Sequence, residues 1–295
     1  LVMPSFGSWA IPLRTRLARE SAGHIGKIMD QQLVIICGLT FSIHLIGALA
    51  YSARIAGVRT GRIAVSFALF NILVLVSRLS NSFLGPFLAK RIENGLANGS
   101  GEGLLTDFRL VLLAATAATI VGALLVPTVQ RWFSSAILEF HEHRSMPRLI
   151  WHAFTKGGIG YVGRTVTSPK AVHLTDLRKP RGVSMTIIIL NIVAQALLTV
   201  GVVGSLYAGY LNPEYRVTAS QLSAVINGFA TILLFVVIDP QLSVMTDDVV
   251  SGRVSQPMFR RTITWLSLSR VGGTLLAQAL LLPSALLVAY IAGAV

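Results

Sequence analysis

The sequence predicts an all-α integral membrane protein of about six transmembrane helices, arranged as two three-helix halves in inverted repeat with an interfacial amphipathic cytoplasmic linker between them. Three observations predict it. Apolar residues make up 53% of the 295 and charged ones 13%, with a mean hydropathy of +0.69, which is too apolar for a soluble domain of this length. Six apolar runs each reach the roughly 20 residues that a bilayer span needs. The basic residues gather in alternate loops, as the orientation of membrane helices requires. The net charge of +13 would suggest nucleic acid in a soluble protein, but these loops account for it through anionic lipid and topology, so no nucleic-acid partner is expected.

Residues 1–28 contain no apolar run and carry Arg14, Arg16, Arg19 and Lys27, and Met29 stands directly before the first apolar run. A signal peptide needs an apolar core. The segment therefore reads as a non-native or upstream extension. Residues 29–129 form the first three-span half, with runs Leu33–Ala53, Ile63–Leu84 and Phe108–Val129. Residues 184–295 form the second half, with runs Met185–Leu206, Ala219–Ile238 and Ile263–Ala292, the last expected to break at Pro283. Period-2 alternation is absent throughout, so the spans are helices rather than barrel strands.

Between the halves, residues 130–183 read as a basic amphipathic linker. Trp132, Phe133, Ile137, Leu138, Phe140, Trp151 and Phe154 alternate with Arg131, Arg144, Arg148 and Lys156, as in helices lying flat among headgroups. This linker, the Arg54, Arg59, Arg62 stretch and the Arg253, Arg260, Arg261 stretch hold fifteen basic residues on one side, against Lys90, Arg91, Arg109 and Arg216 on the other. The fifteen mark the cytoplasmic side.

Shifting the first half onto the second by 154 positions pairs Gly47 with Gly201, Arg62 with Arg216, Ser66 with Ser220, Pro86 with Pro240 and Glu93 with Asp247. The matches are few, but both prolines fall in the second span of a half, where they are expected to interrupt it. An odd number of spans per half forces the halves into opposite orientations. That is the plan of transporters whose sites lie at the repeat interface.

Constellations for catalysis are weak. Gly158, Gly160 and Gly163 spell GxGxxG without the preceding strand that a dinucleotide site needs, and a flexible turn accounts for them. His141, Glu142 and His143 are too close for two zinc ligands on one helix face. Gly99, Ser100 and Gly101 resemble a nucleophile turn but have no paired histidine. Asp247 and Asp248 lack the second acidic cluster of a prenyl transferase. With the single Cys37 inside an apolar run, no catalytic set, metal site or cofactor is expected.

The stretches AYSARIAGVRT and AVSFALFNILVLVSR, followed by YAGYLNPE, INGFATILL, DPQLSVMTDDVVSG and SRVGGTLLAQ, occur in an order that resembles the bacterial alternate lipid II flippase family, Amj. The resemblance runs from about Met29 to the C-terminus. It implies a multi-pass protein of the bacterial cytoplasmic membrane whose partners are membrane lipids and lipid II, the undecaprenyl-pyrophosphate disaccharide pentapeptide, carried from the inner to the outer leaflet. Rival readings are a membrane enzyme acting on prenyl phosphates and a small-anion transporter. Oligomeric state and driving ion stay open.

A pyrophosphate headgroup wants fixed donors, and arginine supplies a permanently charged fork. Arg54, Arg59 and Arg62 are placed in the loop at the cytoplasmic mouth, Arg270 a short way into the sixth span and Arg78 beyond mid-depth in the second. The five are expected to form a ladder for the substrate; the bland alternative is a structural pairing with Asp239 or an interhelical carbonyl for Arg78 and Arg270, and a plain topology signal for Arg54, Arg59 and Arg62. Asn71, Asn81, Asn227 and Gln278 are further substrate-binding candidates, although amides in membrane helices more often bridge helices. Asp239, Pro240, Asp247, Asp248 and Pro86 are assigned to helix breaks or ion pairs. His44, Asn191 and Gln195 complete the polar residues within the spans.

Overall fold

The computed structural model describes residues 10–97, 103–143 and 184–295, with side chains from Gln31 onward and without those of 140–143. Among the described residues every regular element is helical. Helix α1 is Ala10–Thr60, α2 Ile63–Ala97, α3 Leu104–His143 and α4 Met185–Leu211. The fifth span is composite: a 3₁₀ turn Pro213–Tyr215, α5 Arg216–Ile232, a π-helical segment Leu233–Ile238 and α6 Asp239–Val250. Helix α7, Gln256–Ala294, closes the chain. Six spans are long and apolar enough to cross a membrane: Gln31–Thr60, Ile63–Ala97, Leu104–Glu139, Met185–Leu211, Pro213–Val250 and Gln256–Ala294. The protein is a multi-pass membrane protein.

The helices outrun their apolar stretches, and this changes several expectations. Backbone hydrogen bonds in a helix need no apolar side chain, so α1 continues through Arg54 and Arg59 to Thr60 and leaves only Gly61 and Arg62 as the connection. Gly61 adopts φ 70°, the left-handed value that lets the chain reverse within two residues. Residues 130–143, expected to start a separate interfacial helix, instead form the last turns of α3. The rest of the linker, 144–183, lies outside the described residues, as do the turn candidates Gly99–Gly101 and Gly158–Gly163. Pro86 and Pro283 sit inside α2 and α7 without ending either helix. The second-half counterpart of Pro86, Pro240, lies in the first turn of α6, directly after the π-helical segment, where its missing N–H costs least.

Within each half the first helix carries the other two. Helix α1 packs most extensively on α3 and then α2, while α4 packs most extensively on α7 and then α5; second and third helices of a half scarcely meet. The halves join through α3 with α7, α2 with α4, α1 with α7 and α3 with α4. The most apolar stretch of α2 and of the fifth span is only 11% buried, against 56% for α4, so those two spans form the lipid-facing flanks. The interior divides into two apolar clusters. One holds Ile36, Ile43, Leu88, Phe108, Val203, Tyr207 and Leu281; the other holds Tyr51, Phe70, Ala194, Leu242, Phe259 and Leu266.

Candidate functional site

The two apolar clusters draw on α1 up to Ile43 and from Ala50 onward, and on α7 up to Leu266 and from Ala277 onward. The gap between them is a polar layer. Buried in it are His44 on α1, Thr116 and Thr119 on α3, Asn191, Gln195 and Thr199 on α4, and Ser267, Ser269 and Thr274 on α7. Part of this layer bridges helices. Asn191 donates through Nδ2 to Leu266 O (3.2 Å) and Ser269 Oγ (2.6 Å), and the Thr119 and Thr274 hydroxyls meet at 3.2 Å.

Another part is unsatisfied. Arg270 Nε, His44 Nδ1 and Gln195 Nε2 are buried without a hydrogen-bond partner among the described residues. Buried polar atoms normally find partners, so three orphans in one layer are a feature to explain. The Arg270 guanidinium lies against Gly47 of α1, closely enough that a Cβ there would collide with Nη2. It makes no ion pair with a carboxylate among the described residues. Tyr51 lies within electrostatic reach of Arg270 and, one turn farther along, of Arg54 and Asp239. A fixed cation thus stands in the seam where the first half, through α1, meets the second, through α7.

The other arginines divide by partner. Arg54 lies in α1, 3% exposed, rather than in a loop. Its Nη2 donates to Asp239 Oδ1 (3.2 Å) and Nη1 to Ser243 Oγ (3.3 Å) on α6, while Phe70 and Phe67 of α2 present their rings at 4.5 and 4.8 Å. Asp239 is therefore the partner of Arg54, and neither Arg78 nor Arg270 pairs with it. Arg78 is exposed on the flank of α2, with its Nη2 3.5 Å from Thr231 Oγ1 of α5 and its guanidinium 5.1 Å from the Phe235 ring in the π-helical segment.

Arg78 and Arg270 also stand at different depths. Ser77, next to Arg78, donates to Ile43 O, whereas the Arg270 guanidinium lies against Gly47, so along α1 Arg78 is roughly a turn farther from the basic end. The two arginines lie on different faces of the bundle, Arg78 against the fifth span and Arg270 against α1.

Of the remaining candidates, Arg59 and Arg62 are exposed at the end where α1 gives way to α2. Asn71 is exposed and Asn81 half-buried on α2. Asn227 packs against Gly201 with Oδ1 buried and unpartnered. Gln278 donates to Arg109 O (3.0 Å) and bridges α7 to α3. Asp248 pairs with Arg253 (2.7 Å) and Asp247 is exposed.

Sequence reasoning missed Gly47 and Tyr51 as neighbours of Arg270, since nothing in a single chain says which helices touch. It also missed Arg91, which donates through Nε (2.9 Å) and Nη2 (2.7 Å) to Asp107 Oδ2 across the α2–α3 turn. Opposite charges a few residues either side of a short helix connection were the available signal. No group of three His, Cys, Asp or Glu suited to a metal occurs among the described residues.

A family model described as Amj, alternate to MurJ, matches residues 39–292. The chain is 35% identical over 268 residues to the protein named lipid II flippase Amj of Bacillus subtilis (strain 168), covering 90% of this chain and 97% of the relative. No solved structure matches.

Proposed function

The chain belongs to the Amj family, alternate to MurJ, and on that premise we propose that it is a lipid II flippase, carrying undecaprenyl-pyrophosphate-linked peptidoglycan precursor from the inner to the outer leaflet of the bacterial cytoplasmic membrane. The observation that carries the reading is Arg270. A charge near the centre of a membrane helix costs roughly 2.5 to 3.5 kcal/mol even on lenient insertion scales. Arg270 bears that cost with no carboxylate against it among the described residues, whereas buried Arg54 and Arg91 each have one. A pyrophosphate passing between the halves supplies the missing anion and accepts from the guanidinium fork.

Three further assignments follow. The uncommitted donors of His44 and Gln195 complete the headgroup site. Arg78, farther from the basic end on the lipid-facing flank, receives the headgroup where α2 meets the π-helical segment, so that the prenyl tail remains in lipid. The Arg54–Asp239 pair ties α1 to α6 and holds the halves together on the cytoplasmic side. The matching order of packing in the two halves supports their relation as inverted repeats, with the basic end cytoplasmic.

The test is depletion of a bacterial host's principal lipid II flippase with this gene as the replacement. Growth with the wild-type chain and arrest with an equally abundant Arg270→Gln variant are expected. Growth supported equally by both would remove Arg270 from the pathway. A prenyl-phosphate enzyme would instead leave a chemically altered product from detergent-solubilised substrate, where no leaflets exist.

A further inference from the structure

At the end that carries the basic loops, α1, α3 and α7 converge around a cavity of about 330 Å³. Its polar lining is Arg59 from the last turn of α1, Gln130 and Arg131 from α3, and Gln256 and Arg260 from the first turns of α7; among the described residues no carboxylate lines it. The volume matches the lower end of the range for small-ligand pockets, about 300 to 1,000 Å³. Arg59 and Arg260 make no ion pair among the described residues. The Arg59 and Arg260 guanidiniums, brought to one concavity, repel each other unless an anion is shared between them.

A second feature points the same way. Helix α7 starts at this cavity, and its N-cap Ser255 makes no side-chain capping bond; Pro257 has no N–H, so the Gln256 and Met258 amides are the first-turn donors without an intrahelical acceptor. A helix N-terminus of this kind favours an anion. Pyrophosphate and phosphate diester groups match a set of guanidinium forks, side-chain amides and backbone N–H groups, and lipid phosphates lie at this depth when the span is embedded.

We propose that this cavity is a binding site for the phosphate group of a membrane lipid, separate from the mid-depth layer. Arg260 lies ten residues, about 15 Å along α7, from Arg270, so the two sites occupy the foot and the middle of the same α1–α7 seam. The phosphate comes either from the transported pyrophosphate lipid, which makes the cavity its loading station, or from bulk anionic phospholipid. The loading role rests on the transport reading above; the site itself does not.

The experiment is equilibrium binding to the full chain in phosphatidylcholine nanodiscs, with a labelled short-chain prenyl pyrophosphate and a labelled short-chain phosphatidylglycerol as separate probes. The variants are Arg59→Gln/Arg260→Gln and, as comparison, Arg253→Gln, which removes a basic residue at the same end but outside the cavity. Loss of about tenfold or more in affinity for at least one probe is expected in the double variant, with that binding retained in Arg253→Gln. Loss confined to the pyrophosphate probe assigns the loading role; loss of phosphatidylglycerol binding alone assigns a bulk-lipid site. If the transport reading is wrong and no prenyl pyrophosphate binds any variant, the phosphatidylglycerol arm still decides the cavity. Unchanged affinity for both probes in a folded double variant, with circular dichroism matching wild type, overturns the proposal.

Discussion

Arg270 and Gly47 define each other. The glycine leaves room for the guanidinium, and the guanidinium lies where any side chain on α1 would sit. Because Arg270 has no carboxylate to leave stranded, Arg270→Gln removes a desolvated charge without creating another, so the variant should accumulate and unfold no earlier than wild type while flipping is lost. Early unfolding in a detergent thermal melt would show that the charge is structural. Gly47→Ala retains the charge but displaces it, and reduced flipping at normal abundance is expected. Arg54 is predicted to behave in the opposite way. Arg54→Gln strands Asp239, at about 3 kcal/mol, the lower end of the range for breaking a buried pair because Asp239 keeps 19% exposure. Reduced protein level and an earlier melt should result, with recovery in Arg54→Gln/Asp239→Asn; a melt unchanged by the single variant would mean that the pair holds nothing together.

Among the helices, α3 and α7 make the main contact between halves outside the α1–α7 seam, and Gln278 joins them by donating to Arg109 O. Membrane hydrogen bonds of this kind contribute roughly 0.6 to 1.7 kcal/mol. Gln278→Leu should therefore lower stability by about 1 kcal/mol and preserve complementation of a flippase-depleted host. Abolished flipping with an unchanged melt would return Gln278 to the substrate path. The fifth span behaves differently from its first-half counterpart. Helix α2 runs unbroken through Pro86, whereas the corresponding span passes through a π-helical segment before Pro240 and turns Asp239 toward Arg54. Wider turns of this type often mark functional positions, and here Phe235 within the segment touches Arg78.

The bias of basic residues toward one side proposes an orientation for the whole molecule. Single cysteines placed at Gly101 and Gly163, in a chain lacking Cys37, should react with an impermeant thiol reagent from outside and only after permeabilisation, respectively. Reversed labelling would invert the cytoplasmic assignment, and with it the direction in which the cavity at the foot of α1 and α7 is loaded. Orientation also bears on energy. Moving about two pyrophosphate charges outward across about 100 mV, inside negative, releases on the order of 4 to 5 kcal/mol while the arginines stay behind. Collapsing the membrane potential at constant pH gradient should slow net flipping in reconstituted vesicles; an unchanged rate would require another driving force.

Composition and run length determined the helical membrane fold and the number of spans, because a bilayer admits only segments whose backbone groups bond internally and whose side chains are apolar over its thickness. Charge asymmetry proposed an orientation for the same reason that a loop arginine is cheap and a buried one is not. The ends of the helices were not legible, since α1 and α3 continue into basic sequence once neighbouring helices support them. Nor were the partners of the charges. Arg54, read as a loop residue, is clasped between Phe67, Phe70 and Asp239; Arg78 and Arg270, read as rungs of one ladder, face different neighbours, Thr231 and Gly47. That Arg54 finds Asp239 while Arg270 meets Gly47 depends on contacts between positions more than a hundred residues apart. Periodicity within one chain carries no information about those distances, so only the packed bundle could decide them.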